Sequence, residues 1–321
     1  MWSFKTKMSK YQKVGVLICT LAVILYVLTF VMESYQRPET IKVKELRKRR
    51  SFCNGSVHFL LPDDTVIDEM DTDTLYDVFS RYTTRQQIRC CNISRAGSLD
   101  TFGKNICLDY FQKVRGSCLV YSFGSEFHFE FENSIWKDFK CEIHTFDPSH
   151  STNGVQIPKG VNFHLIGLSD NDITIPAPES LKDFTTWPIK RLSSIRRSLR
   201  HEKRYIDILK IDIEGFEWKV LPDVIQSRDL RYVRQICLEI HFGFRFENVW
   251  SGNRVVDYRY TNSTWGNVTI ANQLKVLRNL YDNGFRIFKS EPIAGWGMYN
   301  IRKPKKSINT LIEISLVNIY N

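Results

Sequence analysis

The 321-residue sequence predicts an α/β domain, a mainly parallel sheet covered by helices on both faces, preceded by one transmembrane helix. Three observations predict it. From Ser117 onward, short strand-like apolar runs alternate with helical ones, the pattern of βαβ units. The chain is 43% apolar and 13% aromatic, which suits one well-packed domain plus an N-terminal extension. Residues Val14–Met32 (VGVLICTLAVILYVLTFVM) carry no charge.

That run is long enough to cross a hydrocarbon core of roughly 30 Å as a helix, at about 1.5 Å per residue. It ends Phe30-Val31-Met32, without the small residues of a cleavage site, so a retained signal-anchor is expected. Lys5, Lys7, Lys10 and Lys13 precede it and favour a cytosolic N-terminus. Four sequons follow it, at Asn54, Asn92, Asn262 and Asn267, as do all eight cysteines except Cys19. Both features fit a single-pass type II protein whose bulk faces the lumen of the ER or Golgi. A cytosolic enzyme with reduced, buried thiols is the bland alternative. The net charge of +10 owes much to the residues before position 51. Arg47-Lys48-Arg49-Arg50 there resembles a convertase site, and cleavage after Arg50 would release a soluble domain. No zinc-finger spacing or aromatic-basic signature points to nucleic acid.

The expected organisation is a tail (1–13), an anchor (14–32), a stem and N-terminal extension (33–85) and the catalytic domain (86–321). Asp71, Thr72 or Asp73 can cap a short helix whose face is Leu75, Val78 and Phe79. The cysteine-rich stretch Arg89–Tyr110 is expected to pack against the edge of the main domain. Strands follow at Cys118–Ser122, Glu142–Phe146, Asn162–Ile166, Tyr205–Ile213, Val233–Ile240, Phe285–Phe288 and Leu311–Val317. Phe127–Phe139 reads as a helix. Asn272–Tyr281 reads as an amphipathic helix with Leu274, Leu277 and Tyr281 on one face, ended by Asn283-Gly284.

The chemistry gathers at strand ends, where open α/β sheets bind ligands. The first strand runs into Gly124, and Asp147 follows 23 residues later at the end of the second. That is the spacing at which an acidic residue meets the ribose hydroxyls of a nucleoside, although turn residues alone would look the same. The full G-x-G-x-x-G is absent, which disfavours a pyrophosphate cofactor. The fourth strand ends Asp212-Ile213-Glu214-Gly215-Phe216-Glu217, with Asp212 and Glu214 on one strand face; a capped helix is the plain alternative. Glu239 and His241 share a face of the fifth strand. Together these groups can hold a general base or a divalent cation.

The segment Asp207–Glu217 (DILKIDIEGFE) resembles the signature strand of FkbM-type methyltransferases. YSFG (Tyr121–Gly124) and HTFDPS (His144–Ser149), with Cys118 and Cys141 before them and LEIH (Leu238–His241) after, resemble the narrower methyltransferase-like protein 24 group. The resemblance covers roughly Arg89–Val317. It implies a Rossmann-like seven-stranded fold dependent on S-adenosylmethionine. The expected cofactor-binding set is Tyr121, Phe123, Gly124, Asp147, Ser149, Ser169 and Asp170. The expected catalytic set is Asp212, Glu214, Glu239 and His241, with Asp212 beside the methyl group. The chain departs from FkbM enzymes after Gly124, where it reads Ser125-Glu126-Phe127 without their frequent Gly-Asn.

Two rival readings share the topology. Asp71-Thr72-Asp73 is a D-x-D, the metal-chelating motif of Golgi-type glycosyltransferases, although it lies in a helix-capping stretch before the sheet. A non-catalytic lumenal binding protein on a methyltransferase scaffold is the other. Phe242–Ile270 is expected to be a long aromatic loop over the acceptor pocket, with Trp250 or Tyr258 facing the cleft and Asn262 and Asn267 outside. Among the cysteines, Cys237 is expected to be free and buried in its strand, and a Cys118–Cys141 pairing is sterically conceivable.

Overall fold

The computed structural model describes residues 60–99, 102–111, 116–149, 155–177 and 186–321. The anchor, most of the stem, Asn54 and the basic cleavage motif lie outside the described residues. Among those residues no helix is long and apolar enough to cross a membrane.

Two helices come first, α1 (Asp64–Asp68) and α2 (Thr72–Thr83). Asp71 is the N-cap of α2, its carboxylate accepting the Thr74 N–H at 2.8 Å. Leu75, Val78, Phe79 and Tyr82 recur at helical spacing, and all are buried. The Phe79 ring stacks on Phe242 at 3.5 Å between centroids, in the main core. The packed body therefore begins before residue 86, where the sequence reading opened the domain.

A hairpin follows, β1 (Ile93–Ala96) with β2 (Lys104–Cys107). The central units are β3 (Leu119–Phe123), α3 (Glu130–Phe139), β4 (Glu142–Phe146) and β5 (Val161–His164). A small sheet of β6 (Gly167–Leu168), β7 (Ile173–Pro176) and β8 (Thr186–Lys190) comes next, then α4 (Leu192–Ser198). The remaining elements are β9 (Ile208–Ile211), α5 (Glu217–Gln226), β10 (Gln235–His241), the pair β11 (Phe244–Ser251) and β12 (Arg254–Thr264), α6 (Ile270–Asp282), β13 (Phe285–Pro292), the pair β14 (Met298–Ile301) and β15 (Lys306–Asn309), and β16 (Leu311–Asn318).

Seven strands form one sheet in the order β13-β16-β10-β9-β3-β4-β5. The five from β10 to β5 are parallel; β16 runs antiparallel between β10 and β13. The chain winds outward from β3 through β4 to β5, then returns to β9 and winds the other way. The reversal between β3 and β9 is the switch point at which such sheets open a crevice.

All seven expected strands and both expected helices of this part form, with shifted ends. The first helix starts at Glu130 rather than Phe127, because Glu126 and Phe127 take left-handed φ of 47° and 59°. The fourth strand is shorter than Tyr205–Ile213. Ile206 makes only an isolated bridge to Val233, and the Asp207 carboxylate turns aside to accept the Leu119 N–H at 3.0 Å. The cysteine-rich segment reaches the edge strand β13, as expected: Arg95 and Asn105 both bond Glu291, and Cys90 and Tyr110 cluster with Phe288. The β1–β2 hairpin lies across a face of the sheet: Gln235 of β10 exchanges hydrogen bonds with the Cys107 backbone, and Cys237 Sγ donates to Asn105 O. Disulfides join Cys90 to Cys107 and Cys118 to Cys141, and Cys91 is disulfide-bonded as well. Cys237 is free and buried, as its place inside a strand led us to expect.

Candidate active site

Two loops leave the sheet at its switch point, and both are pinned by side chains near Gly124. Gly124 has φ +76°, and a Cβ on it would stand 1.6 Å from the Asp212 carbonyl oxygen. The glycine is thus required by the close approach of two strand ends. Lys210 Nζ spans the same gap, donating to Gly124 O at 2.6 Å.

Asp147, at the end of β4, holds the loop that follows Gly124. Its Oδ2 accepts the N–H groups of Ser125 at 2.9 Å and Glu126 at 2.8 Å. Its Oδ1 accepts the Ser149 N–H at 2.9 Å and the Ser149 hydroxyl. A carboxylate offers about four lone-pair sites, so every acceptor site of Asp147 is engaged. Ser125 and the left-handed Glu126, held by this carboxylate, occupy the place of the absent Gly-Asn. Tyr121 and Phe123 do not line a cleft; both are fully buried, with Phe123 stacked on Phe146 at 4.6 Å. Their alternation along β3 turns them into the core. Ser169 and Asp170 follow β6, joined by a 3.0 Å hydrogen bond, and the preceding Gly167 packs close to Pro148 of the Asp147 loop.

The expected catalytic residues converge, with one change of geometry. Strand β9 ends at Ile211, so Asp212 and Glu214 lie in a turn and not on a shared strand face. Glu214 takes a left-handed φ of 53° and Gly215 one of 91°. The turn still brings Asp212, Glu214 and His241 together, one ligand-type atom of each lying within 4.8 Å of the others. Glu239 and His241 do share a face of β10, 3.9 Å apart.

Lys104 and Lys210 were not singled out from the sequence. Lys104 comes from the β1–β2 hairpin and is 2% exposed. Its Nζ stands 3.3 Å from Glu239, 3.7 Å from Asp212 and in contact with Glu313 of β16. Burial alone would lower the Lys104 ammonium, but the carboxylates of Asp212, Glu239 and Glu313 outweigh it and raise it. Burial acts to raise Asp212, yet Lys104, Lys210 and His241 hold it below the usual carboxylate range. Glu239 is pushed up to about 8 by burial and then by the Asp212 charge. The opposite directions of these two shifts favour Glu239 over Asp212 as the protonated partner.

His241 sits between Glu217 and Glu214, each 3.4 Å away. Burial works against its charge, but Glu217 and Glu214 raise it well above the ordinary histidine range. Glu217 also accepts the Ile213 N–H at 2.9 Å, closing the turn that carries Asp212. Two ammonium groups already face Asp212 here, so a divalent cation is not needed to balance its charge.

The expected aromatic loop is a β-hairpin, β11–β12. Trp250 is at its far end and 59% exposed, and Tyr258 packs on Phe246. Neither covers the catalytic cluster. Trp265, just after β12, does: its ring lies 5.0 Å from that of His241 and would touch a Cβ on Gly215. Asn92, Asn262 and Asn267 are exposed. The D-x-D carboxylates are engaged as helix-end ligands: Asp71 caps α2, and Asp73 accepts the Tyr299 hydroxyl at 2.7 Å and the Arg302 N–H at 3.1 Å. That arrangement removes the support for a sugar-nucleotide metal site.

A family profile described as a methyltransferase domain matches residues 73–256. The chain is 30% identical over 255 residues to the human (Homo sapiens) probable methyltransferase-like protein 24, covering 75% of this chain and 63% of the relative. It is 32% identical over 205 residues to the Rattus norvegicus protein of the same name, covering 63% of this chain and 50% of the relative. The chain thus spans half to just under two thirds of the length of these relatives.

Proposed function

Because the chain belongs to the methyltransferase domain family, we propose that it transfers a methyl group from S-adenosylmethionine to a hydroxyl-bearing acceptor in the secretory lumen. The acceptor is a glycan, a small molecule or a protein side chain. The observation that carries the reading is the Lys104–Asp212–Glu239 cluster at the carboxyl ends of adjacent strands, beside the switch point.

The cofactor's cationic end would lie beside Asp212, the carboxylate that Lys104 and Lys210 keep ionised. The ribose end fits once the Ser149 hydroxyl rotates off Asp147, which frees one acceptor site on Oδ1 for a ribose hydroxyl. Bound S-adenosylmethionine supplies an electrophilic methyl group on its sulfonium. Asp212, 21% exposed and kept ionised by Lys104 and Lys210, accepts the proton of the acceptor hydroxyl. Glu239 stays protonated and hydrogen-bonds to Asp212, fixing its orientation. His241, charged between Glu214 and Glu217, anchors the turn, and Trp265 shields it from water. Disulfides at Cys90–Cys107 and Cys118–Cys141, with exposed sequons, support an oxidising lumen as the setting.

Calorimetry on the purified full chain tests this. S-adenosylhomocysteine should bind, UDP-sugars should not, and Asp212→Asn should keep binding while losing methyl transfer to a glycan or lysate acceptor pool. No binding of S-adenosylhomocysteine would favour a scaffold without catalysis; binding of a sugar nucleotide would overturn the assignment.

A further inference from the structure

On the opposite face of the sheet, near the start of β4, lies a second group of polar side chains that the proposed chemistry does not use. Tyr121 pairs with His144 across β3 and β4, whereas Ser122 pairs with Lys210 across β3 and β9. Alternation along β3 therefore puts His144 on one face and Lys210, with the catalytic cluster, on the other. On the His144 face, Glu142 Oε1 lies 3.0 Å from His144 Nε2 and 3.4 Å from His201 Nε2. The three ligand atoms lie within 4.8 Å of one another. His144 and His201 are 7% and 6% exposed, and Glu142 remains partly open to solvent.

We propose that Glu142, His144 and His201 form a zinc site, with water as the fourth ligand. Nitrogen and oxygen ligands about 2.0–2.1 Å from a tetrahedral zinc stand roughly 3.3 Å apart, close to the two separations seen here. The surrounding groups set the tautomers that metal binding requires. The far nitrogen of His201, Nδ1, is 2.8 Å from the Tyr121 hydroxyl, and that of His144 is 3.0 Å from His164 Nε2. With Nδ1–H donating outward on each ring, both Nε2 lone pairs converge on the same point as Glu142 Oε1. Arg204 holds the other carboxylate oxygen, Oε2, at 2.6 Å and so orients the ligand. The same guanidinium is 3.1 Å from His201 Nε2, and it must swing off that nitrogen, keeping Glu142, as the ion enters. Arg204 is 39% exposed and has solvent to move into. The ligands come from β4 and from the segment after α4, so the ion would tie that segment to the sheet. The site is independent of the methyltransferase reading, and either can fail alone.

The test is zinc itself. The full chain, purified without chelators or immobilised-metal columns, should carry about one zinc per chain by mass spectrometry. His144→Gln and His201→Gln should each lose most of it, while Asp212→Asn keeps it. Because a buried substitution can unfold the chain, the unmutated protein supplies a second readout. After stripping, adding zinc to about 100-fold its Kd should raise Tm by roughly 5 °C or more. Cobalt substitution should give visible bands of a low-coordinate nitrogen–oxygen site. A chain without zinc and with an unmoved Tm is held there by hydrogen bonds alone, and the proposal fails. Zinc lost in Asp212→Asn but kept in His144→Gln would overturn it by placing the ion at the catalytic cluster.

Discussion

The Asp212 carbonyl oxygen fills the space where Gly124 would carry a side chain, 1.6 Å from the position of a Cβ. Two strand ends meet there backbone to backbone, and Gly124 is left-handed at φ +76°. Gly124→Ala therefore combines conformational strain with a clash against an immobile backbone. It should cost roughly 3 kcal/mol or more and abolish S-adenosylhomocysteine binding. A denaturation midpoint equal to that of the unmutated chain would show that the strand ends part freely.

Lys104→Met removes the ammonium from among Asp212, Glu239 and Glu313 while keeping an apolar side chain of similar length. Breaking a buried ion cluster on one side costs roughly 3–5 kcal/mol. Urea unfolding at pH 7 should show a loss of that order, partly recovered in the Lys104→Met, Glu313→Gln double variant. Strict additivity of the two substitutions would argue against their interaction.

Glu239 gives a pH signature. Its folded-state value is raised to about 8 from 4.5. The stabilisation of its protonated form is complete below about pH 4.5 and is lost as pH rises through 8. Glu239→Gln keeps the neutral form at every pH. The variant should match the parent below about pH 4 and become the more stable of the two by up to a few kcal/mol above pH 8. Parallel stability curves for the two proteins would refute the elevated value.

Asp147 and Ser149 predict opposite effects on the cofactor. Asp147→Ala releases the Ser125 and Glu126 amides as well as the ribose contact, so affinity should fall by roughly 2–4 kcal/mol. Ser149→Ala removes only a competitor for Oδ1, so affinity should hold or rise. Calorimetric titration of both variants decides this, and a large loss in Ser149→Ala would mean that the hydroxyl itself contacts the ligand.

The hairpin separates into a working base and a dispensable tip. Trp250→Ala, at an exposed position, should change stability by less than about 0.5 kcal/mol. Trp265→Ala, 9% exposed and packed over His241, should cost roughly 3–5 kcal/mol and slow methyl transfer. Equal effects at the two positions would remove the distinction.

Local pattern carried most of the fold. The strand over Glu142–Phe146 and the helix around Leu274 and Leu277 are legible because each signal is contained in a few neighbouring residues. The fourth strand is shorter than its apolar run suggests because Asp207, within that run, turns its carboxylate to Leu119 on another strand. The site was half legible. Asp212 and His241 announce themselves at strand ends, but Lys104 lies 209 residues from its partner Glu313, and no local pattern joins them. Tyr121 and Phe123 fall within the same motif as Gly124, and the motif does not say that they point into the core. A loop would let Trp250 or Tyr258 face the cleft, but hairpin pairing carries Trp250 to the far end.

Lys104 opens the short strand that Cys107 closes, and Cys107 is covalently tied to Cys90. The ammonium is therefore delivered to Asp212 and Glu239 by a segment whose hold on the sheet is partly redox chemistry. Chains retained where thiols stay reduced would keep their seven strands and yet present the carboxylates without a firmly seated partner. On the proposed reading, assembly of the reactive centre would wait on oxidation of the Cys90–Cys107 pair.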